Sequence, residues 1–326
     1  MRGPQDHLAA ERLGMKKFAI IGAGLAGLAC ADELIASGHS VRLFDKARGP
    51  GGRMSTRRTD SASGQVSFDH GAQYFTARDP SFQSLIETWS DAGIVARWPA
   101  AGADAWVGVP TMNAPVKQLA GRHDVTWSAH IEALLKGEDG WHLKFREGAL
   151  IEPFDHIILA IPAEQAADLL APTGSEFAAI AAKTVSAPCW TLMLAYDEPL
   201  NTGKIILRDD GVIGWAARNS DKPGRMGRES WVVQAAPQWS IDHVENDQDA
   251  VAKILEDRLA ELLGITLPAP LVRSAHRWRY ARSGRTEFSA LYSEEMQLGV
   301  CGDWLLGPRV ECAWLSGTSL GKMIPT

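Results

Sequence analysis

Apolar positions along the chain follow two rhythms. Phe18-Ala19-Ile20-Ile21 is an unbroken apolar run, the pattern of a short strand buried on both faces. Leu28 to Ala36 is rich in Ala and Leu and gives way to Gly38, which predicts a helix with a glycine stop. Ser40 to Phe44 predicts a second strand. Val125 to Phe145 alternates around Gly137-Glu138-Asp139-Gly140, predicting a hairpin, and Asp155 to Pro162 reads as another buried strand. Segments 184–199, 212–217, 230–236 and 271–280 predict the strands of a second sheet. Asp249 to Leu263 predicts an amphipathic helix, with Val251, Ile254, Leu255, Leu259 and Leu262 on its apolar stripe.

Composition narrows the class. The 326 residues are 45% hydrophobic and 22% charged, an ordinary folded composition with room for two or three domains. The formal charge of −6 argues against a general nucleic-acid binder. No apolar run is long enough to span a membrane. Cys30, Cys189, Cys301 and Cys312 form no C-x-x-C pair and no disulfide framework, so a reducing cytoplasmic setting is expected. The nine histidines show no metal-binding spacing, and no metal is expected. Residues 1–14 precede a second Met at position 15 and read as a loose extension. Lys16-Lys17, the apolar run and Ala29-Cys30-Ala31 superficially suggest a secretory signal, but the glycines inside the run have a better explanation.

That explanation is Gly22-Ala23-Gly24-Leu25-Ala26-Gly27, set between the first strand and the first helix. Asp45 ends the second strand 18 residues beyond Gly27. This is the strand, G-x-G-x-x-G, helix, strand, acid order of a dinucleotide site. Gly22 permits the tight turn, Gly24 lets a pyrophosphate approach the backbone, and Gly27 lets helix and strand pack closely. The helix amino end offers free N–H groups to phosphate, with Ala26 in that turn. Asp45 can accept from ribose hydroxyls.

The next residues are Lys46-Ala47-Arg48-Gly49-Pro50-Gly51-Gly52-Arg53, a glycine-rich loop where an NAD domain would start a helix. The loop resembles the R-x-x-G-G-R signature of the FAD-dependent amine oxidase superfamily. Gly302-Asp303, followed by a loop over Leu305–Glu311 and a helix starting near Cys312, resembles the late FAD motif of the same superfamily. The resemblance implies non-covalently bound FAD held by Gly22, Gly24, Ala26, Gly27, Asp45, Lys46, Arg48, Gly52, Arg53, Ile131, Asp303, Trp314, Leu315 and Ser316. It places Ile131 by the adenine, Asp303 on a ribityl hydroxyl, and the late helix with its amino end toward the flavin. Cys312 reads as a buried free thiol rather than a flavin link. The expected fold is α/β, with an α+β substrate domain. A Rossmann-like FAD domain (15–75, 120–170, 285–326) carries an inserted mixed-sheet substrate domain (76–119, 171–284), as in p-hydroxybenzoate hydroxylase and monoamine oxidase. Gly317-Thr318-Ser319-Leu320-Gly321 also matches a G-x-S-x-G nucleophile elbow, but no acid or histidine follows the serine, so that reading is discarded.

Asp69-His70-Gly71-Ala72-Gln73-Tyr74-Phe75, Asn219–Arg225 and Arg277–Ala281 are similar to segments of renalase and its bacterial relatives. This resemblance implies oxidation of 1,2- or 1,6-dihydro isomers of NAD(P) to NAD(P)+. Hydride would pass to flavin N5 and electrons to dioxygen, giving hydrogen peroxide. The partners are then a dinucleotide substrate and dioxygen. A dihydronicotinamide expels hydride without losing a proton, so an aromatic pocket with polar anchors is expected rather than a triad. His70, Gln73, Tyr74 and Trp278 are the catalytic candidates, with Trp314 beside them. Structural roles compete: His70 as a turn residue, Tyr74 as core, Trp278 as sheet packing. Trp190, Trp215 and Trp231 read as core or sheet surface. Arg218, Lys222 and Arg225 read as a solvated loop, with substrate phosphates as the alternative. The competing functions are a flavin amine oxidase, a flavoprotein without catalysis, and an NAD-dependent dehydrogenase.

Overall fold

The computed structural model describes residues 14–61, 63–151, 153–208, 211–225 and 227–325. All but the last residue of the expected extension lies outside them. Two compact units are present. One contains the residues up to Gly52, Gln118–Val185 and the chain from Ser283; the other contains Arg53–Lys117 and Ser186–Arg282.

The first unit is built on a six-stranded sheet. Its order is Leu291–Ser293, Leu298–Val300, His156–Leu159, Lys17–Ile21, Ser40–Asp45, Val125–Trp127. All neighbours are parallel except the first pair. Phe18, Ala19 and Ile20 are buried, as an unbroken apolar run requires when both faces of a strand are covered. Ala19 and Ile21 share an apolar cluster with the hairpin Ile131–Gly137/Gly140–Phe145 and with helices Ala163–Leu170 and Phe177–Lys183. The first helix, Leu25–Ala36, packs along the last, Val310–Met323. Gly317 and Gly321 sit one turn apart on the last helix. A Cβ on Gly317 would overlap the Ala26 carbonyl, and one on Gly321 would overlap the Glu33 side chain. The discarded nucleophile pattern is therefore a small-residue groove that lets two helix backbones meet.

The second unit is an antiparallel five-stranded sheet in the order Ile206–Arg208, Ile213–Arg218, Ser230–Ala235, Ala187–Ala195, Val272–Arg282. Alternation divides each strand. Trp190, Leu192 and Leu194 meet Val251, Leu255 and Leu259 of helix Gln248–Leu263. Asp247 caps that helix by accepting from Asp249 and Ala250 N–H, and Gly264 ends it at φ +72°. On the other face, Met193, Ala195, Val232 and Val272 meet Val66 and Phe68 of the strand Gly64–Phe68. This contact puts residues 53–75 in the second unit, whereas the sequence reading kept them with the FAD domain. Cross-strand register aligns Arg208, Trp215, Gln234, Thr191 and His276 in one row across all five strands. The segment after Phe68 is fastened to this row.

Other differences from the sequence reading are local. The late helix begins at Val310 rather than near Cys312, and Asp303–Leu306 forms a helical turn inside the expected loop. Helix Pro80–Asp91 was not anticipated, although Asp79 caps it and Pro80 opens it. Lys222 and Arg225 are buried, not solvated.

Gly317→Ala should cost about 2 kcal/mol of stability, because its methyl meets rigid backbone. Ser319→Ala should stay within about 0.5 kcal/mol, since its hydroxyl is exposed against Ser289. Thermal midpoints of the two variants check both statements.

Candidate active site

In the first unit the glycine loop makes a cradle. Gly22 stands at φ +107°, and a Cβ there would strike the Ala160 carbonyl. A Cβ on Gly27 would overlap the Gly22 carbonyl. Helix and strand thus meet backbone to backbone. Above Gly24 the situation reverses: no atom lies within 4 Å of where its Cβ would stand. That half-exposed opening, at the amino end of the Leu25–Ala36 helix, fits a pyrophosphate. Asp45 holds the cradle in shape. One carboxylate oxygen accepts from Ala23 N–H at 2.8 Å and the other from Ala47 N–H at 2.8 Å. A carboxylate has about four acceptor sites, so capacity for ribose hydroxyls is left. Ala129 and Ser128 donate backbone bonds to the carbonyls of Asp45 and Ala47, which brings Ile131 close in sequence to this corner.

The other predicted cofactor residues are placed as follows. Lys46 donates to Gln165 at 2.9 Å, and burial lowers its pKa. Arg48 is exposed, and Gly52 at φ +52° lies near Gly24. Arg53 falls in the second unit, where its carbonyl accepts from Ala72 N–H. Asp303 is buried and accepts from Ser283 Oγ at 3.1 Å. Ser316 Oγ accepts from Gly302 N–H at 2.9 Å, tying the last helix to the strand end. Trp314 and Leu315 are half-buried beside it. Cys312 is a buried free thiol with its pKa raised by burial.

In the second unit, the loop Asp69–Gln73 carries a wall of rings. The His70 ring lies 5.1 Å from that of His276 and 5.0 Å from that of Trp278, and His276 to Trp278 is 4.7 Å. Arg57 reaches His276 Nδ1 at 3.4 Å. Burial pushes the His70 pKa down, reinforced by His276 and Arg57, to about 3. Burial and Arg57 bring His276 to about 4. Both imidazoles are neutral near pH 7.

Side chains pin the loop's carbonyls one after another. Gln73 donates to Asp69 O at 2.6 Å and Gly71 O at 3.0 Å, Trp278 to His70 O at 2.9 Å, and Gln234 to Gly71 O at 2.8 Å. Of the four catalytic candidates, His70 and Trp278 meet in the wall and Gln73 braces its loop. Tyr74 lies apart from them, 5.3 Å from the Trp215 ring. The sequence reading missed Arg57 and His276. His276 sits two residues before Trp278 on its strand, and period-two spacing could have found it.

Residues 90–319 match the family model described as flavin containing amine oxidoreductase, and residues 20–89 match a NAD(P)-binding Rossmann-like domain. The chain belongs to the flavin-containing amine oxidoreductase family. Its cofactor is FAD. Phytoene desaturase (neurosporene-forming) of Rhodobacter capsulatus is 40% identical over 80 residues, 24% of this chain and 14% of that protein. A 4,4'-diapophytoene desaturase of Staphylococcus aureus is 35% identical over 81 residues, 22% of this chain and 15% of its own. The chain thus spans a small part of the curated relatives it matches.

Among solved structures, one from Exiguobacterium sp. 255-15 superposes with a TM-score of 0.73 at 12% identity, covering 94% of this chain and 98% of that one. Cyclohexylamine oxidase from Brevibacterium oxydans gives 0.66 at 12% identity, with the same coverage. Putrescine oxidase bound to putrescine gives 0.67 at 12%, covering 95% and 98%. At such identity these structures share the fold. Among the described residues of this flavoprotein, no helix is long and apolar enough to cross a membrane, and no cluster of His, Cys, Asp and Glu could hold a metal.

Two outcomes are expected. Asp45→Ala should lower the flavin-to-protein ratio after purification about tenfold, while Asp45→Asn, which keeps one acceptor oxygen, should lose less. Acidification should destabilise the fold from about pH 6.5 down toward about 4. There the unfolded chain protonates at His70 and His276 while the folded one resists, so the unfolded state binds more protons. His70→Gln should flatten that dependence in thermal melts.

Proposed function

We propose that this flavoprotein is an oxidase for 1,2- or 1,6-dihydro isomers of NAD(P), returning them to NAD(P)+ as a metabolite-repair step. The reading rests on the His70 wall, in which the rings of His70, His276 and Trp278 pack 4.7 to 5.1 Å apart and burial disfavours charge on both imidazoles. An amine substrate arrives as an ammonium with a pKa near 10 and must surrender a proton before it can give up a hydride. His70 at about 3 and His276 at about 4 are weak proton acceptors. Asp69 is committed to Lys222 and Arg225. A dihydronicotinamide ring is neutral and has no proton to lose.

FAD, which the Gly22–Gly27 turn and Asp45 would hold, would supply a two-electron acceptor for the donor's hydride, with dioxygen as the final oxidant. The chain's own residues bind and orient. His70, His276 and Trp278 offer ring faces and edges against which a planar donor can stack. The fastened loop holds them in one arrangement, so a ring with its hydride on the wrong carbon is admitted in one register. The second reading, oxidation of a small amine, draws on the cyclohexylamine and putrescine oxidases that share the fold.

Anaerobic mixing of the purified holoenzyme with isomerised NADH separates the two. Rapid bleaching of the flavin band by the isomer fraction is expected, with fresh 4-dihydro NADH nearly inert and peroxide appearing on readmission of air. Bleaching by cyclohexylamine or putrescine alone would replace this reading with the second.

A further inference from the structure

The second unit buries a charge cluster that the proposed chemistry does not use. Asp69 is at its centre. One carboxylate oxygen accepts from Thr56 Oγ1 at 2.8 Å and Met112 N–H at 3.0 Å. The other accepts from Lys222 Nζ at 3.3 Å and from Arg225 Nε and Nη2 at 3.1 and 2.5 Å. The side chains of Asp69, Lys222 and Arg225 are 1%, 0% and 5% exposed.

Charge balance makes Lys222 the odd member. Asp69 and Arg225 already form a neutral pair, and Arg225 also donates to the carbonyls of Gly108 and Pro223. A second buried cation on the same carboxylate adds desolvation cost without being needed for neutrality. Burial accordingly lowers the Lys222 pKa to about 8, against the pull of Asp69 and with the push of Arg225. The Trp98 ring faces the ammonium at 5.3 Å, and Trp98 Nε1 donates to Asp221 at 3.0 Å. What sets Lys222 apart is its second bond: it donates to Gln73 Oε1 at 3.1 Å. Gln73 is the amide whose nitrogen holds the carbonyls of Asp69 and Gly71, on either side of His70.

We propose that Lys222 is a positioning residue: by orienting Gln73 it fixes the loop that presents His70 to His276 and Trp278. The proposal rests on the reading that this wall receives the donor ring. Lys222 itself touches Asp69 and Gln73, and it acts on the reaction only through them.

The test uses holoenzyme of the parent, Lys222→Met and Lys222→Gln. It reads the limiting rate of anaerobic flavin reduction by isomerised NADH across about pH 6 to 10, with thermal midpoints alongside. Lys222→Met leaves the neutral Asp69–Arg225 pair and should melt no lower than the parent, yet reduce about tenfold more slowly. Lys222→Gln still offers an N–H to Gln73 and should stay within about threefold of the parent. Deprotonation of Lys222 leaves an amine that still offers N–H groups to Gln73, so the parent rate should change by no more than about threefold through pH 8, as in Lys222→Gln. A parental rate in Lys222→Met, or a rate as slow in Lys222→Gln as in Lys222→Met, overturns the proposal. If Lys222→Met fails to fold, Gln73→Leu cuts the same link from its other end, and a parental rate there overturns it equally. His276→Ala is the control. If it too reduces at the parental rate, the wall is not the donor site, and the functional reading and this proposal fall together. If it is slow while Lys222→Met is not, this proposal alone fails.

Discussion

Backbone meeting backbone at three glycines is the contact on which the cofactor half of the protein depends. A methyl on Gly27 would overlap the Gly22 carbonyl, one on Gly22 the Ala160 carbonyl, and one on Gly317 the Ala26 carbonyl. Strand, first helix and last helix are therefore closer together than any side chain would allow. That closeness fixes the turn between Gly22 and Gly27 and leaves the open space over Gly24 at a helix amino end. Asp45 completes the arrangement by accepting from the turn on one side and from the following loop on the other. The opening that would take a pyrophosphate is thus a by-product of packing.

The second unit solves the opposite problem. Its wall is made of ionisable rings, His70 and His276, beside a fixed cation, and burial settles their charge by keeping both neutral. Charge is instead gathered behind the loop, at Asp69, where burial opposes ionisation but Lys222 and Arg225 outweigh it and bring the pKa to about 2. Hydrogen bonds to three consecutive carbonyls convert that buried cluster and the sheet register into a defined loop shape. On the proposed function, such a wall would select by shape and stacking and take little part in proton transfer.

The cofactor half was legible in the sequence because its signals are local: glycines at fixed spacing, an acid at a strand end, an arginine–glycine loop. The substrate half was less so. His70 and Trp278 could be named, and period-two spacing leads from Trp278 to His276, but Arg57 meets His276 from 219 residues away, which no short window contains. Lys222 and Arg225 sit in a segment with Asp221, Pro223 and Gly224, the composition of a solvated turn. Their burial follows from one carboxylate about 150 residues earlier, Asp69. The domain boundary moved for the same reason, since Val66 and Phe68 find their apolar partners on strands more than 100 residues away.

On the proposed function, hydride leaves the donor without prior loss of a proton. Isotopic substitution tests it most directly. Dihydro-NAD isomer carrying deuterium at its reactive ring carbon should slow anaerobic flavin reduction several-fold, while transfer of the whole reaction to D2O should leave the rate unchanged. A large solvent effect, or no effect of the ring deuterium on a rate limited by chemistry, would contradict the claim.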